Sequence, residues 1–368
     1  MKPKNIFLTS CILQTILGLV MITSSSYIWA EYKFSDSFKF FKSQFVFFIV
    51  SIVIMIFISK IDYEIYFKKS KQLFLFSLLL LILVLIPGIG TVRNGSRSWF
   101  GIGSFGVQPS EFMKLSMIIF LSKYLSLNGK KVKKNCIPAL LIILLIFTLI
   151  MLQPDFGTGI VIVMIGISLL YIAGVNMKIF FKLGILGVIG IIILIIIAPY
   201  RLKRIISFLN PWSDPLGSGF QIIMSLYAIG PGGLFGYGLG NSRQKHFYLP
   251  EPQTDFIFSI ILEELGFLGC VLVIGLFLLI IISGLIISKR CNDLFSKYVS
   301  FAITFWIAFQ SILNLCVVVG LIPVTGVTLP FLSYGGSSLL TFYIGIGIIL
   351  NISQKNCWRS YYFNIYLI

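Results

Sequence analysis

Ten predominantly apolar stretches, most of them long enough to cross a lipid bilayer, follow one another through this chain, and that series limits its fold more than any other feature. A hydrocarbon core about 30 Å thick takes about 20 residues of helix per crossing. The runs lie near residues 6–29, 40–59, 72–87, 109–127, 137–153, 156–175, 183–199, 257–287, 299–320 and 338–354. Those at 72–87 and 137–153 are short, and the one at 257–287 is long enough to tilt or to extend past the bilayer. Of 368 residues, 58% are hydrophobic and only 11% charged, too little polar surface for a water-soluble domain. The expectation is an all-α integral membrane protein, one polytopic domain over 1–368. The first run, flanked by Lys2, Lys4 and Trp29-Ala30, has some features of a signal peptide. It is longer than a usual signal core and opens an even series of spans, so it is read as the first span.

Charge sets the predicted orientation. The chain carries 29 Lys and Arg against 12 Asp and Glu, a formal charge of +17. The bases sit in short clusters between apolar runs and not on one face, which argues against a nucleic-acid partner. With the N-terminus inside, seventeen bases fall in cytoplasmic segments, among them Lys68, Lys69, Lys71 and the Lys130–Lys134 cluster. Five fall in the short outer loops: Lys33, Lys39, Lys42, Arg93 and Arg97. This is the bias of the positive-inside rule, and it places both termini in the cytoplasm. The largest polar insertion, about 200–256, is then outside the cell; it holds five prolines and a glycine-rich centre from Gly230 to Gly240. Long loops of this kind are functional or mobile.

Six of the acids, Asp155, Asp214, Glu251, Asp255, Glu263 and Glu264, lie between residues 155 and 264. Asp155 and Asp255 are predicted at the outer membrane face, with Glu263 and Glu264 about 12 Å deeper at helical rise. Charges at that depth are costly and mark function or buried anchors. Glu111 and Lys114, three apart on the fourth span, are predicted to form a structural ion pair. Other motifs carry little. Gly101-Ile-Gly-Ser-Phe-Gly106 fits a dinucleotide fingerprint, but no βαβ unit surrounds it, so it reads as a turn. Ser242-Arg-Gln-Lys245 fits the SxxK nucleophile pattern without its companion motifs. His246 is the only histidine, and none of the six cysteines forms a CxxC pair, so the cysteines are read as inert.

The blocks Gln108-Pro-Ser-Glu-Phe-Met-Lys114, Gln153-Pro-Asp-Phe-Gly-Thr158, Tyr248-Leu-Pro-Glu-Pro-Gln-Thr-Asp-Phe-Ile-Phe258, Glu263-Glu-Leu-Gly266 and Pro330-Phe-Leu-Ser-Tyr-Gly-Gly-Ser-Ser338 follow in an order that resembles the SEDS family over the whole chain. The stretches Asn210–Gln221 and Gly240–Lys245 are more similar to its cell-division branch, FtsW, than to its elongation branch, RodA. Asn94-Gly-Ser-Arg-Ser-Trp99 departs from the division pattern of an alanine and a second arginine.

The resemblance implies a peptidoglycan glycosyltransferase with about ten transmembrane helices and one large extracytoplasmic loop. It would polymerise lipid II at the outer face of a bacterial cytoplasmic (inner) membrane, at the division septum. The implied chemistry is inverting transfer with Asp255 as general base: pyrophosphate leaves as a stable anion, so one carboxylate suffices. Arg243 and Lys245 are candidates to offset the pyrophosphate charge, the alternative being a solvated loop or contact with anionic lipid. Asp255 is also placed to cap the eighth span, and Asp155 to support substrate or cap a helix. The hydroxyls of Ser333, Ser337 and Ser338 are expected to be available to sugar or phosphate. Glu263 and Glu264 are expected to be buried supports. A divalent cation, magnesium or manganese, stays open because no DxD pair is present. Implied partners are lipid II, the nascent glycan strand, a class B penicillin-binding transpeptidase and other divisome proteins. The readings kept beside this one are an elongation polymerase, a lipid II flippase or transporter, and a non-catalytic scaffold.

Overall fold

In the computed structural model the backbone is described for residues 2–93, 95–101, 106–197, 206–217 and 219–365. Ten long helices appear among them, one for each apolar run: α1 (Pro3–Phe34), α2 (Lys39–Lys60), α3 (Tyr63–Leu83), α4 (Pro109–Lys134), α5 (Ile137–Met151), α6 (Phe156–Ile172), α7 (Met177–Ile197), α9 (Ile257–Lys289), α10 (Leu294–Val318) and α11 (Gly336–Ile365). A shorter α8 (Phe220–Ile229) lies inside the large loop, and a small antiparallel hairpin, β1 (Thr91–Arg93) and β2 (Ser96–Trp99), joins α3 to α4. The fold is that of a multi-span membrane protein. Among the described residues α1, α2, α9, α10 and the 336–355 part of α11 are each long and apolar enough to cross a bilayer alone, while α5 and α6 are shorter.

Several helices outrun their apolar stretches. α3 begins at Tyr63, nine residues before its predicted span, and α4 continues to Lys134 past a kink at Asn128. Apolarity marks where lipid is, whereas backbone hydrogen bonds carry a helix into water until something stops it. Starts are set by local chemistry: proline opens α1, α4 and α5, and aspartate side chains cap α3 (Asp62 to Glu64 N), α6 (Asp155 to Thr158 N) and α10 (Asp293 to Ser296 N).

α2 lies along α11, α1 along α9, α3 along α4, α9 along α10 and α5 along α6. Small residues permit the close approaches. A Cβ on Gly347 of α11 would come 2.9 Å from Met55 O of α2, so only glycine lets these two backbones meet. Among its described side chains, residues 177–190, α7 turns most apolar groups outward, including Phe181, Ile185 and Leu186, a face suited to lipid.

Alternate connections gather at opposite ends of the bundle. At the loop-rich end, Ser96 Oγ donates to Gln153 O and Ser337 Oγ donates to Gly106 O. At the lysine-rich end, Tyr63 OH donates to Asp293, Tyr63 N donates to Asn351, and Lys355 pairs with Asp62. Burial pulls the Asp62 carboxyl up, but the Lys355 ammonium and the Glu64 N–H outweigh it and hold the group below the usual range.

Candidate active site

Asp255 stands on a run of turns, residues 252–256, at the loop-rich end. The N-cap position of α9 belongs to Phe256, and no side chain caps the helix there, so the capping role foreseen for Asp255 is not what holds it. Three successive carbonyls fix the turn. Gln253 O accepts from Tyr334 N at 2.8 Å, Thr254 O from Ser333 Oγ at 2.6 Å, and Asp255 O from Asn314 Nδ2 at 2.8 Å. Thr254 Oγ1 closes the turn on itself by donating to Glu251 O at 2.8 Å. The half-buried carboxylate faces the 324–327 loop, where a Cβ added to Gly326 would lie 3.8 Å from Asp255 Oδ2. Gly326 has φ +74°, a conformation that favours glycine.

The serines expected to meet substrate divide. Ser333 is buried; beyond its bond to Thr254 O, its Oγ accepts from Leu329 N at 2.8 Å. Ser337 is buried and joins Gly106 O (2.9 Å) to Gln108 N (3.2 Å). Both hydroxyls thus tie loops together, while Ser338, one residue further along α11, is half-buried.

Asp155 caps α6 through Thr158 N at 3.1 Å and accepts from Gln108 Nε2 at 3.2 Å. It lies one residue ahead of the span, where burial holds its carboxyl above the usual range against the opposing pull of Thr158 and of the Lys114 charge. Glu111 and Lys114 form the ion pair foreseen, at 2.7 Å and almost fully buried. Lys114 also donates to Gln310 Oε1 at 3.2 Å and lies over the Trp306 ring. Gln310 in turn accepts from Trp306 Nε1 and donates to Thr328 O, which carries the network to the loop facing Asp255.

The second assembly lies between the large loop and the first half of α9. That helix breaks at Gly266, with φ 62° and ψ −156°. Phe267 N and Leu268 N, which an unbroken helix would direct at Glu263 O and Glu264 O, donate instead to Gly233 O and Leu234 O. The two released carbonyls accept from Tyr237 N and Gly238 N, both at 2.9 Å. These two N–H groups and two carbonyls all find partners in the loop, as burial requires.

The carboxylates continue the grip. Glu263 accepts from Ser242 Oγ and from Arg243 N (2.8 Å), and Glu264 from Ser24 Oγ (2.6 Å), Gly240 N (3.0 Å) and Ser242 N (3.2 Å). Both are buried, as expected of supports. Lys245 is buried with them: its Nζ lies 2.9 Å from Glu264 Oε1 and also donates to Gly240 O. The ammonium that sequence reading offered to pyrophosphate is enclosed by protein, because charge in a sequence does not reveal burial. Arg243 is exposed; its guanidinium lies over Tyr237 and, with Gln244, His246 and Tyr248, lines an open cleft of about 450 Å³. Arg201, Lys203 and Arg204, further bases of the large loop, lie outside the described residues, as do Asn94 and residues 102–105 of the glycine-rich turn.

Sequence reading missed Asn314, Gln310 and Ser24, and also α8, whose buried Ser225 is bonded to Ser259 Oγ and Val318 O, both at 2.7 Å. Their signal was present: each is a polar group within an otherwise apolar helix, where an unpaired polar atom is costly. Among the described residues no three His, Cys, Asp or Glu side chains gather to hold a metal ion, so no step is assigned to one.

The family model described as cell cycle protein, covering FtsW, RodA and SpoVE, matches residues 4–357. The chain belongs to this family. Among the relatives of this SEDS member, stage V sporulation protein E of Bacillus subtilis is 52% identical over 96% of this chain and 97% of its own length. A probable peptidoglycan glycosyltransferase FtsW of Coxiella burnetii is 41% identical over 92% of this chain and 93% of its own. Among solved structures, one describing coordination of polymerization and crosslinking by a peptidoglycan synthase complex superimposes with TM-score 0.79 at 28% identity, covering 95% of this chain and 97% of that one. The rod shape determining protein RodA of Thermus thermophilus gives 0.71 at 26%, covering 95% and 96%.

Proposed function

We propose that this SEDS protein is a peptidoglycan glycosyltransferase that polymerises lipid II at the outer face of the cytoplasmic membrane. The lysine-rich end of the bundle faces the cytoplasm with both termini, and the loop-rich end, with Asp255, faces out. The observation that carries the reading is the Asp255 turn: a carboxylate fixed through three consecutive carbonyls at the end of the bundle where a lipid-anchored sugar presents its reactive carbon. Preorganised placement of this kind is what general-base chemistry needs.

In the proposed step the 4-hydroxyl of the incoming lipid II sugar attacks the anomeric carbon of the growing strand. The new C–O bond forms as the bond to polyprenyl pyrophosphate breaks, and the hydroxyl proton passes to Asp255. Configuration inverts. The pyrophosphate takes the bonding pair and leaves as an anion. Arg243 supplies positive charge from the exposed cleft, on a loop that Glu263 and Glu264 hold in place. Lys245 serves that loop from within.

A role in septal wall synthesis is supported by relatives named FtsW, 36–41% identical, against 26% for the RodA structure. The 52% identity to stage V sporulation protein E favours a second reading, wall synthesis during sporulation. A class B transpeptidase is the proposed partner, supported by the likeness to a synthase complex that couples polymerization to crosslinking. The test is glycan synthesis from labelled lipid II by purified protein, with and without that transpeptidase and with added or chelated divalent ions. Polymer from wild type and none from folded Asp255→Ala is the expected result. Lipid II crossing vesicles without polymer would replace this reading with transport. A fluorescent fusion at the septum, along the side wall or around the forespore separates the three cellular roles.

A further inference from the structure

The Asp255 turn is fixed from outside itself, and its most constrained partner is an amide that lies among apolar neighbours. Asn314 occupies the last two turns of α10, is 1% exposed and is flanked by Leu313 and Leu315. Its Nδ2 makes two bonds of 2.8 Å, one to Asp255 O and one to Val327 O. An amide nitrogen has two hydrogens, and both are used. One side chain therefore ties the backbone of Asp255 to the loop that its carboxylate faces, with Gly326 next to the tied Val327. Ser333 does the same one residue earlier, donating to Thr254 O while accepting from Leu329 N.

We infer that Asn314, assisted by Ser333, is a positioning residue for the glycosyl transfer step: it sets where the Asp255 carboxylate stands relative to the 324–329 loop and acts only through it. The inference rests on Asp255 being the general base. Its physical ground is that the bonds from Asn314 and Ser333 to the Asp255 turn end on the backbone carbonyls of Asp255 and Thr254, and neither touches the carboxylate. Loss of the clamp therefore leaves the base's chemistry intact and changes its position. A displacement of about 1 Å in a reacting group is enough to cost about 100-fold in rate.

The variants are Asn314→Asp, which keeps the shape and removes the paired donors, Asn314→Leu, Ser333→Ala and Ser333→Thr, which restores a hydroxyl. Each is purified as the full chain with its transpeptidase, checked by thermal melting, and assayed for kcat and KM with labelled lipid II beside Asp255→Ala and the Asp255→Ala/Asn314→Leu double variant. The expected result is a kcat lower by about 100-fold in the Asn314 variants with KM within about twofold of wild type. Ser333→Ala is expected to fall likewise and Ser333→Thr to recover. The double variant, like Asp255→Ala alone, is expected to make no polymer, so the decision falls on the single Asn314 and Ser333 variants. Wild-type kcat in folded Asn314 and Ser333→Ala variants, or a rise in KM alone, overturns the inference and leaves Asp255 untouched. Should the Asn314 variants fail to fold, Ser333→Ala and its threonine rescue decide the matter. Activity in Asp255→Ala removes the general base and this inference together.

Discussion

Lys245 Nζ and Glu264 Oε1 lie 2.9 Å apart with neither side chain reachable by water, joining the large loop to the first half of α9. Desolvating two charges is expensive, and the pair is tolerated because the carboxylate also accepts from Ser24 Oγ and two backbone N–H groups. Removing one partner strands the other. Lys245→Met is expected to cost about 3–5 kcal/mol of stability, and Lys245→Met/Glu264→Gln clearly less than the two single changes together. Chemical denaturation of the detergent-solubilised protein measures both.

Arg243 has the opposite character, exposed and stacked on Tyr237. Arg243→Ala is expected to leave the melting temperature unchanged and to slow polymerisation by about 10- to 100-fold, the rate equivalent of one charge-assisted hydrogen bond. Arg243→Lys should recover part of that loss, since it keeps the charge without the planar fork. Steady-state rates from labelled lipid II, read beside a melting curve, separate chemistry from folding.

At Gly266 a Cβ would lie 2.4 Å from Gly236 N, and the backbone has a positive φ. Gly266→Ala is therefore expected to detach the loop, with a sharp loss of folded yield on size-exclusion chromatography. Gly275 lies further along the same helix with open space around it, and Gly275→Ala should be neutral or stabilising by up to about 1 kcal/mol.

Asp155 presents a cap and a charge that substitutions can separate. Asp155→Asn keeps the cap on Thr158 N and should be nearly neutral at acidic pH, where the wild-type carboxyl is protonated, whereas Asp155→Ala should cost about 0.5–2 kcal/mol. Burial raises this carboxyl above its usual 3.8 in the folded protein, so the native state binds its proton more readily than the unfolded chain. The resulting contribution is present in full below the usual value and fades as pH rises through the folded one. Melting curves across acidic pH should therefore show wild type losing ground to Asp155→Asn as pH increases.

How much of this the chain reveals unaided depends on the physics of each part. The ten helices were legible because lipid demands unbroken apolar runs, and their ends were not, since Lys68 or Lys131 can sit on a helix that has left the bilayer. Glu111 and Lys114 were legible as a pair because three residues of helix bring them together. Asp255 stood out through its sequence block, yet what holds it did not: Asn314 and Ser333 lie 59 and 79 positions from the residues they grip, and no local pattern encodes such a distance. Lys245 was misread because a lysine in a polar loop resembles any other until the glutamate beneath it is seen. α8 was hidden for a similar reason, its ten residues too short to register as a crossing.

The clamp on residues 253–255 also has an order in time. A ribosome delivers the turn bearing Asp255 well before Asn314, and Asn314 before Ser333 and Tyr334, which emerge with the start of the last helix. A chain still being inserted thus carries its key carboxylate on a tether with no anchor. The turn is clamped in full only when the tenth crossing arrives, so incomplete products reach the membrane with Asp255 not yet fixed in place.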